Sequence, residues 1–268
     1  MTDQYAVVGN PVAHSKSPLI HAEFARQTGQ DMAYDRLLAP LDGFAETAEA
    51  FRQSGGKGLN VTVPFKEQAF RYANRKTARA EAAGAVNTLM FDAQGIVGDN
   101  TDGAGLVRDL TVNLRQGLME KRILLMGAGG AARGVIGPLL AEQPAKLVLA
   151  NRTVQKAQQL AEMFGGKFDT VPYEALAGLR FDVVINATAA SLKGELPPLP
   201  DDLFNPGALA YDMMYGTETP FMAWARRHGA TKISDGLGML VEQAAESFYL
   251  WRGVRPDTAP VIQMLRAA

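Results

Sequence analysis

Short runs of β-branched and apolar residues recur at 5–8, 32–38, 58–61, 123–126, 147–150, 181–185 and 208–213. Between most of them lie longer stretches, 19–28, 44–53, 130–142, 153–164 and 220–228, whose apolar residues fall at helical spacing. This alternation predicts strand-helix units, hence an α/β protein with largely parallel sheets. One pair of runs departs from the pattern. Residues 87–91 and 96–98 are joined by Asp-Ala-Gln-Gly, which is too short for a parallel crossover and predicts an antiparallel hairpin closing the first sheet. A helical stretch after Asp102 and a polar approach to a new strand at Ile123 place the first crossing between domains near residue 102. At the far end Leu237, Leu240, Val241, Ala244, Phe248 and Trp251 keep helical spacing, and Pro256 divides the tail into two helices. Those helices either extend the second domain or return to pack on the first; the pattern alone leaves both open.

Composition narrows the classes. A length of 268 residues exceeds the roughly 150-residue prior for one domain, and 47% hydrophobic with 21% charged residues is the balance of a folded globular chain. With 27 Lys+Arg against 28 Asp+Glu there is no basic excess to attract phosphate backbones, so no nucleic-acid partner is expected. The absence of Cys removes disulfides, thiolate nucleophiles, iron-sulfur clusters and thiolate zinc sites, and fits a reducing compartment. His14, His21 and His228 show no ligand spacing, so no metal is expected, and no Gly-x-Ser-x-Gly elbow supports a serine hydrolase. Residues 1–10 lack a basic segment leading into an apolar run, and the most apolar stretch, 123–141, is interrupted by Arg133 and rich in Gly. Neither a signal peptide nor a membrane span is expected, and the location expected is cytoplasmic.

Two regions carry chemistry. The first is Gly127-x-Gly129-x-x-Ala132, between an apolar run and a helical one. A pyrophosphate needs backbone N–H donors at close range and gains from a helix N-terminus, which is what a glycine turn in this position provides. A turn that only packs strand against helix has the same composition. The following strand leads into Asn151-Arg152-Thr153, with Lys156 one turn on, where a binder of NAD would carry an acid for the ribose 2'-hydroxyl. Two cations suit a 2'-phosphate, so NADP is expected. Each cation taken alone also fits a solvated helix start.

The second region lies in the first half. Ser15 and Ser17 follow the first strand; Ser17-Pro18 also reads as a helix N-cap with Pro at N1. Asn60, Thr62 and Lys66 crowd one strand-to-helix turn, and Lys66 on a first helical turn suits a nearby bound anion. Ligands of open α/β sheets bind beyond the carboxyl ends of the strands, so these turns should face one crevice. Asn87 and Asp102 flank the hairpin; a loop residue and a helix cap are the plain alternatives.

Taken in order, Gly9-x-Pro11 with His14-Ser15-x-Ser17-Pro18, Asn60-Val-Thr-Val-Pro-Phe-Lys66, Gly84-Ala-Val-Asn87-Thr88, Asn100-Thr-Asp102, Gly127-Ala-Gly-Gly-Ala, Asn151-Arg-Thr153, Asp212-Met-Met-Tyr215 and Asp235-Gly-Leu-Gly-Met-Leu-Val-Glu-Gln243 resemble the shikimate dehydrogenase family. The resemblance implies two domains: an N-terminal open α/β substrate domain (1–101 with 237–268) and a Rossmann-type NADP domain (102–236), the C-terminal helix returning to the first. It implies an oxidoreductase interconverting shikimate and 3-dehydroshikimate with NADP, on the route to aromatic amino acids, as a monomer or homodimer. Ser15 and Ser17 would bind the substrate carboxylate. Asn60, Thr62, Lys66, Asn87, Asp102 and Gln243 would contact its hydroxyls, with Lys66 and Asp102 the catalytic pair. Gly127, Ala128, Gly129, Gly130, Ala131, Asn151, Arg152, Thr153, Lys156, Thr188, Met213 and Gly236 would hold the cofactor. Met239 and Gln243, four apart, share a helical face from which one helix could touch both ligands. Two departures stand out: Ala189-Ala-Ser191 replaces the family's more usual Ser and Gly, and Ala22 follows His21 where Asn is common.

Hydride leaves an alcohol carbon only if the hydroxyl proton also leaves, so a base is needed beside that hydroxyl. Burial and a cationic nicotinamide favour neutral Lys66, and a neighbouring Asp102 favours the ammonium, so the two form a coupled pair with the proton carrier open. The rivals are a quinate/shikimate dehydrogenase of broader specificity, which could prefer NAD, and a non-catalytic NADP-binding sensor.

Overall fold

The structure is a computed structural model that describes residues 2–188, 190 and 194–267. The chain divides into two compact units: residues up to Gly105 with those from Leu240 onward, and Leu106–Met239.

The first unit carries β1 (Asp3–Gly9), α1 (Ser17–Thr28), β2 (Met32–Leu38), α2 (Phe44–Gln53), β3 (Gly56–Val61), α3 (Lys66–Tyr72), β4 (Arg75–Lys76), α4 (Ala78–Ala83), β5 (Thr88–Asp92) and β6 (Gly95–Asp99). Its sheet runs β2-β1-β3-β5-β6-β4, with β2, β1 and β3 parallel and β5 antiparallel to both β3 and β6. The β5-β6 hairpin is therefore present, but it does not close the sheet. The two-residue β4 pairs in parallel outside β6, because Arg75 and Lys76 lie extended between α3 and α4. A two-residue strand carries no periodicity, so hydrophobic pattern cannot find it.

One face of this sheet buries Val8, Phe44, Leu59, Val61, Phe65 and Leu89. The other side of the unit is completed from the chain's far end by α9 (Leu237–Arg252) and α10 (Ala259–Ala267). Val241, Ala244, Phe248 and Val261 bury Ile20 and Phe24 of α1, and Trp251 donates its indole N–H to the Leu89 carbonyl at 3.0 Å. A Cβ at Gly58 would collide with that indole, so the missing side chain is what lets α9 lie on β3. Arg79 bridges Asp99 and Glu246, and Arg252 pairs with Asp3, tying the same helix at two more points.

The second unit runs from α5 (Asp102–Arg108), within which the chain leaves the first unit, through a π-helical turn at Asp109–Asn113 to β7 (Arg122–Met126), α6 (Gly130–Ala141), β8 (Lys146–Ala150), α7 (Val154–Met163), β9 (Asp169–Val171), β10 (Phe181–Asn186), β11 (Phe204–Asp212), α8 (Pro220–Arg227) and β12 (Lys232–Ser234). All six strands are parallel in the order β12-β11-β10-β7-β8-β9, a doubly wound sheet whose winding reverses at β7. Ile123, Leu125, Leu149 and Val183 fill one face, and Leu124, Val148, Phe181 and Val184 the other. Residues buried on both faces read as continuous apolar runs, as the sequence does here. The buried Asp109 accepts from the Tyr211 hydroxyl at 2.7 Å and from Asn113 at 2.9 Å, fixing the entry turn against β11.

Candidate functional site

In the first unit, β3 and α3 deliver Asn60 and Lys66, the turn before β5 delivers Asn87, and α5 opens on Asp102. The Lys66 ammonium lies 2.5 Å from Asp102 Oδ2, with the two side chains 32% and 14% exposed, reachable by a ligand yet poorly solvated. Asn87 Nδ2 donates to the other carboxylate oxygen at 2.8 Å. The orientation of that amide follows from an unambiguous donor: the backbone N–H of Thr101 meets Asn87 Oδ1 at 2.9 Å, so the NH₂ end must face Asp102. Asp102 is thus held with donors on both oxygens. Among the described residues its carboxylate caps no backbone N–H.

Behind the pair is a buried polar cluster. Asn60 Nδ2 donates to Ser247 Oγ at 3.0 Å and Thr88 Oγ1 at 3.2 Å, these two hydroxyls pair at 2.7 Å, and Thr88 donates to Asn87 Oδ1 at 2.9 Å. Gln243 Oε1 stands 3.4 Å from both Asn87 Nδ2 and Thr101 Oγ1, and its own NH₂ donates to the Leu240 carbonyl. Asn60, Asn87, Asp102, Lys66 and Gln243 are therefore brought together. Thr88, Thr101 and Ser247 hold them, and sequence reasoning missed all three. Thr88 and Thr101 stood in the sequence motifs without an assigned part, and Ser247 stands four residues after Gln243 on one face of α9.

Tyr34 of β2 donates to Asn60 Oδ1 at 2.7 Å; burial raises its hydroxyl well above the usual range, with Ser17 beside it working in the opposite direction. Ser17 is buried and its backbone N–H donates to Ser15 Oγ at 3.2 Å. The N-cap reading of Ser17 is corrected: Lys16 occupies the cap with no side-chain bond, Ser17 is already helical, and the capping-like acceptor is Ser15. Thr62 lies across from Gly9, where a Cβ would strike its methyl group, so the first and third turns pack directly on each other.

His21, fully buried, stacks on Tyr34 with ring centroids 4.2 Å apart and 7° between planes. Among the described residues neither ring nitrogen has a hydrogen-bond partner, although the Asn60 amide is near, and burial lowers its pKa to about 3. An unfolded histidine takes a proton near 6.5, so between about 6.5 and 3 the unfolded chain binds the extra proton and the fold loses about 1.4 kcal/mol per pH unit. Going from pH 7 to pH 5 should cost about 2 kcal/mol through this residue, and His21→Phe should remove that increment. Urea denaturation at both pH values checks it. Equal acid losses in the two proteins would show that His21 is protonated in the fold.

The second unit gathers another set at the carboxyl ends of β7, β8, β10 and β11. Gly127 has φ +102°, and a Cβ there would press on the Ala187 carbonyl, so glycine is required. Gly129 and Gly130 have open space where a side chain would stand, and Ala131 is exposed. The N-terminus of α6 has neither a side-chain cap nor an acid in its first turn. Free N–H groups, open space and no competing anion together suit a pyrophosphate. Asn151 Nδ2 donates to the Thr153 carbonyl at 2.8 Å, bending the chain into α7 and leaving Arg152, Thr153 and Lys156 exposed. Asn151, Arg152 and Thr188 line a cavity of about 430 Å³ together with Tyr173, whose hydroxyl burial pushes up to about 12 against the pull of the Arg152 charge. Among the described residues no carboxylate pairs with Arg152. These residues fit NADP.

Thr188 donates to Asn186 Oδ1 at 2.7 Å, and Asn186 in turn donates to the fully buried Asp212 at 3.0 Å. Asp212 also accepts from Thr219 and the Met214 N–H, which fixes the turn carrying Met213. Gly236 packs its bare Cα on the Met213 carbonyl, and its N–H reaches Met214 O at 2.8 Å. Asp212 sat in the sequence motif without an assigned part; its burial explains it. Ala189 and Ser191, the departure noted in the sequence, lie outside the described residues.

Comparison with known proteins adds three family matches along the chain: a shikimate dehydrogenase substrate-binding domain over residues 7–89, a shikimate/quinate 5-dehydrogenase model over 109–193, and a shikimate 5'-dehydrogenase C-terminal domain over 236–266. A shikimate dehydrogenase (NADP(+)) of Nitrosospira multiformis is 64% identical, covering 100% of this chain and 98% of that one. Among solved structures, an Ael1 enzyme from Pseudomonas putida has TM-score 0.95 at 49% identity over 98% of both chains. Shikimate 5-dehydrogenase from Thermus thermophilus, in complex with NADP(H) and shikimate, has TM-score 0.88 at 33% identity over 99% of both.

Proposed function

Because the chain belongs to the shikimate dehydrogenase family, we propose that its first unit binds shikimate and its second NADP, with Lys66 and Asp102 handling the proton. The protein is an NADP-dependent oxidoreductase that interconverts shikimate and 3-dehydroshikimate, the step of aromatic amino-acid synthesis that its relatives' name describes. The observation that carries the residue assignment is the Lys66–Asp102 pair, half-open on one side and clamped by Asn87 on the other.

Ser15 and Ser17, at a helix start with no acid in its first turn, offer hydroxyl donors for the substrate carboxylate. Asn60, Thr62, Asn87 and Gln243 meet the ring hydroxyls, and the orientations of Asn60, Asn87 and Gln243 are set in advance by Thr88, Thr101 and Ser247, so little ordering of these three remains to be done on binding. The hydroxyl to be oxidised gives its proton into the Lys66–Asp102 pair, and Asn87 keeps Asp102 oriented throughout. In the second unit, Gly127, Ala128, Gly129, Gly130 and Ala131 hold the pyrophosphate, and Asn151, Arg152, Thr153 and Lys156 the 2'-phosphate. Thr188, Met213 and Gly236 flank the nicotinamide. NADP, when bound, supplies the hydride acceptor.

A ligand-accessible lysine on a carboxylate with donors on both oxygens argues against a non-catalytic sensor. Among the described residues no helix is long and apolar enough to cross a membrane, and we take the enzyme as cytoplasmic, a monomer or homodimer with no nucleic-acid partner. Following NADPH absorbance with purified protein should show reduction of NADP by shikimate, little with NAD and little with quinate. Strong turnover of quinate would move the assignment to the broader quinate/shikimate type, and no turnover of either acid would return it to a sensor.

A further inference from the structure

We propose that Arg36 is the positive charge that makes the Ser15–Ser17 turn selective for an anionic substrate, a deepening that rests on the placement of the shikimate carboxylate at that turn. Arg36 stands near the end of the edge strand β2, opposite Val7 of β1, and its Nε and one terminal nitrogen donate to the Ser15 carbonyl at 3.2 and 2.7 Å. That grip fixes the backbone on which Ser15 Oγ and the Ser17 N–H are mounted. It also brings a guanidinium to the turn without spending its charge. Arg26, Arg52, Arg75, Arg79 and Arg252 of the same unit each face a carboxylate, whereas the Arg36 guanidinium enters no ion pair among the described residues. Asp35, its neighbour, instead accepts the Arg36 backbone N–H.

The surroundings add to the field. No acidic residue occurs from Gly9 to Ala22, Lys16 is exposed in the middle of the turn, and the first turn of α1 carries neither an acid nor a side-chain cap. Two hydroxyls alone would also accept a neutral ester or amide, through weaker hydrogen bonds than a carboxylate makes, since both present acceptor oxygens. A fixed cation discriminates, because its attraction acts on net charge and adds to capture from solution. Arg36 is thus a positioning residue through Ser15 and a specificity residue through its charge.

The test compares shikimate with its neutral methyl ester as substrates or competing ligands. For Arg36→Gln the KM for shikimate should rise roughly 3- to 10-fold, the scale of one partly exposed charge, while kcat and the KM for NADP stay within about twofold. The ester should lose clearly less than the acid, since it feels only the loosened Ser15 turn, and the salt dependence of kcat/KM for shikimate should weaken. Arg36→Lys should restore the salt dependence. Equal losses for acid and ester, or no loss for either, would overturn the proposal. Ser15→Ala with Ser17→Ala separates the two readings: if that pair leaves shikimate binding untouched while Arg36→Gln still erases the preference for the acid, the carboxylate sits elsewhere near Arg36 and only the serine assignment fails.

Discussion

Lys66→Met should lower kcat for shikimate oxidation by about 100-fold or more, the usual scale for a positioned acid/base group, with a smaller change in the shikimate KM. The fold should tolerate the change. Lys66 is the first residue of α3 and its side chain is partly solvated, so Met leaves no cavity and strands no buried donor. Asp102 would keep the Asn87 hydrogen bond at 2.8 Å, so the carboxylate is not left bare either. What disappears is the group 2.5 Å from Asp102 Oδ2 through which a proton can pass. Steady-state kinetics with a thermal melt decides the matter. A raised KM at unchanged kcat would mean that Lys66 supplies only uniform binding, and the catalytic part would pass to Asp102 or a bound water.

Arg152→Ala should raise the KM for NADP by roughly 10- to 150-fold, which corresponds to about 1.5–3 kcal/mol for a lost charge-assisted contact, and should leave the weak use of NAD nearly unchanged. The position leaves few other uses for this arginine. It is the second residue past the carboxyl end of β8, is exposed, borders the cavity of about 430 Å³ that Glu174 and Glu195 also line, and is within ion-pair distance of no carboxylate among the described residues. Kinetics with both cofactors provides the check. Equal losses with NADP and NAD would place Arg152 against a part the two cofactors share, such as the adenine, and remove it from 2'-phosphate recognition.

Both predictions could be framed from the sequence because the residues concerned sit at strand ends, where an apolar run stops and polar residues begin. The parallel strands of the second unit were legible for the same reason: Ile123, Leu124, Leu125 and Met126 are all buried, so no alternation is needed to find them. The features that escaped are of another kind. β4 is two residues long, and its existence depends on β6 already being in place. Ser17 has the composition of a helix cap but lies one residue inside the helix, because Ser15 supplies the acceptor instead. Thr88, Thr101 and Ser247 act only as a trio drawn from three distant stretches of chain, and Arg36 matters through a backbone carbonyl, which leaves no mark in composition. Local pattern finds groups that act where they stand in the chain; it does not find those whose partners are brought by tertiary contact.

The first unit is assembled from two separated stretches, with the second unit contiguous between them. During synthesis this order matters. Leu106–Met239 can complete its six-stranded sheet as soon as it emerges, but β1 to β6 leave the ribosome without the helix pair that covers Ile20 and Phe24. At about 5–20 residues per second the uncovered face of α1 remains exposed for many seconds. The nascent chain therefore carries an apolar patch, on the helix that opens at Ser17, that chaperones can hold until residues 240–268 arrive. Ser247 and Gln243 come on that last segment, so the hydrogen bonds they make to Asn60 and Asn87 are completed only once it has been made.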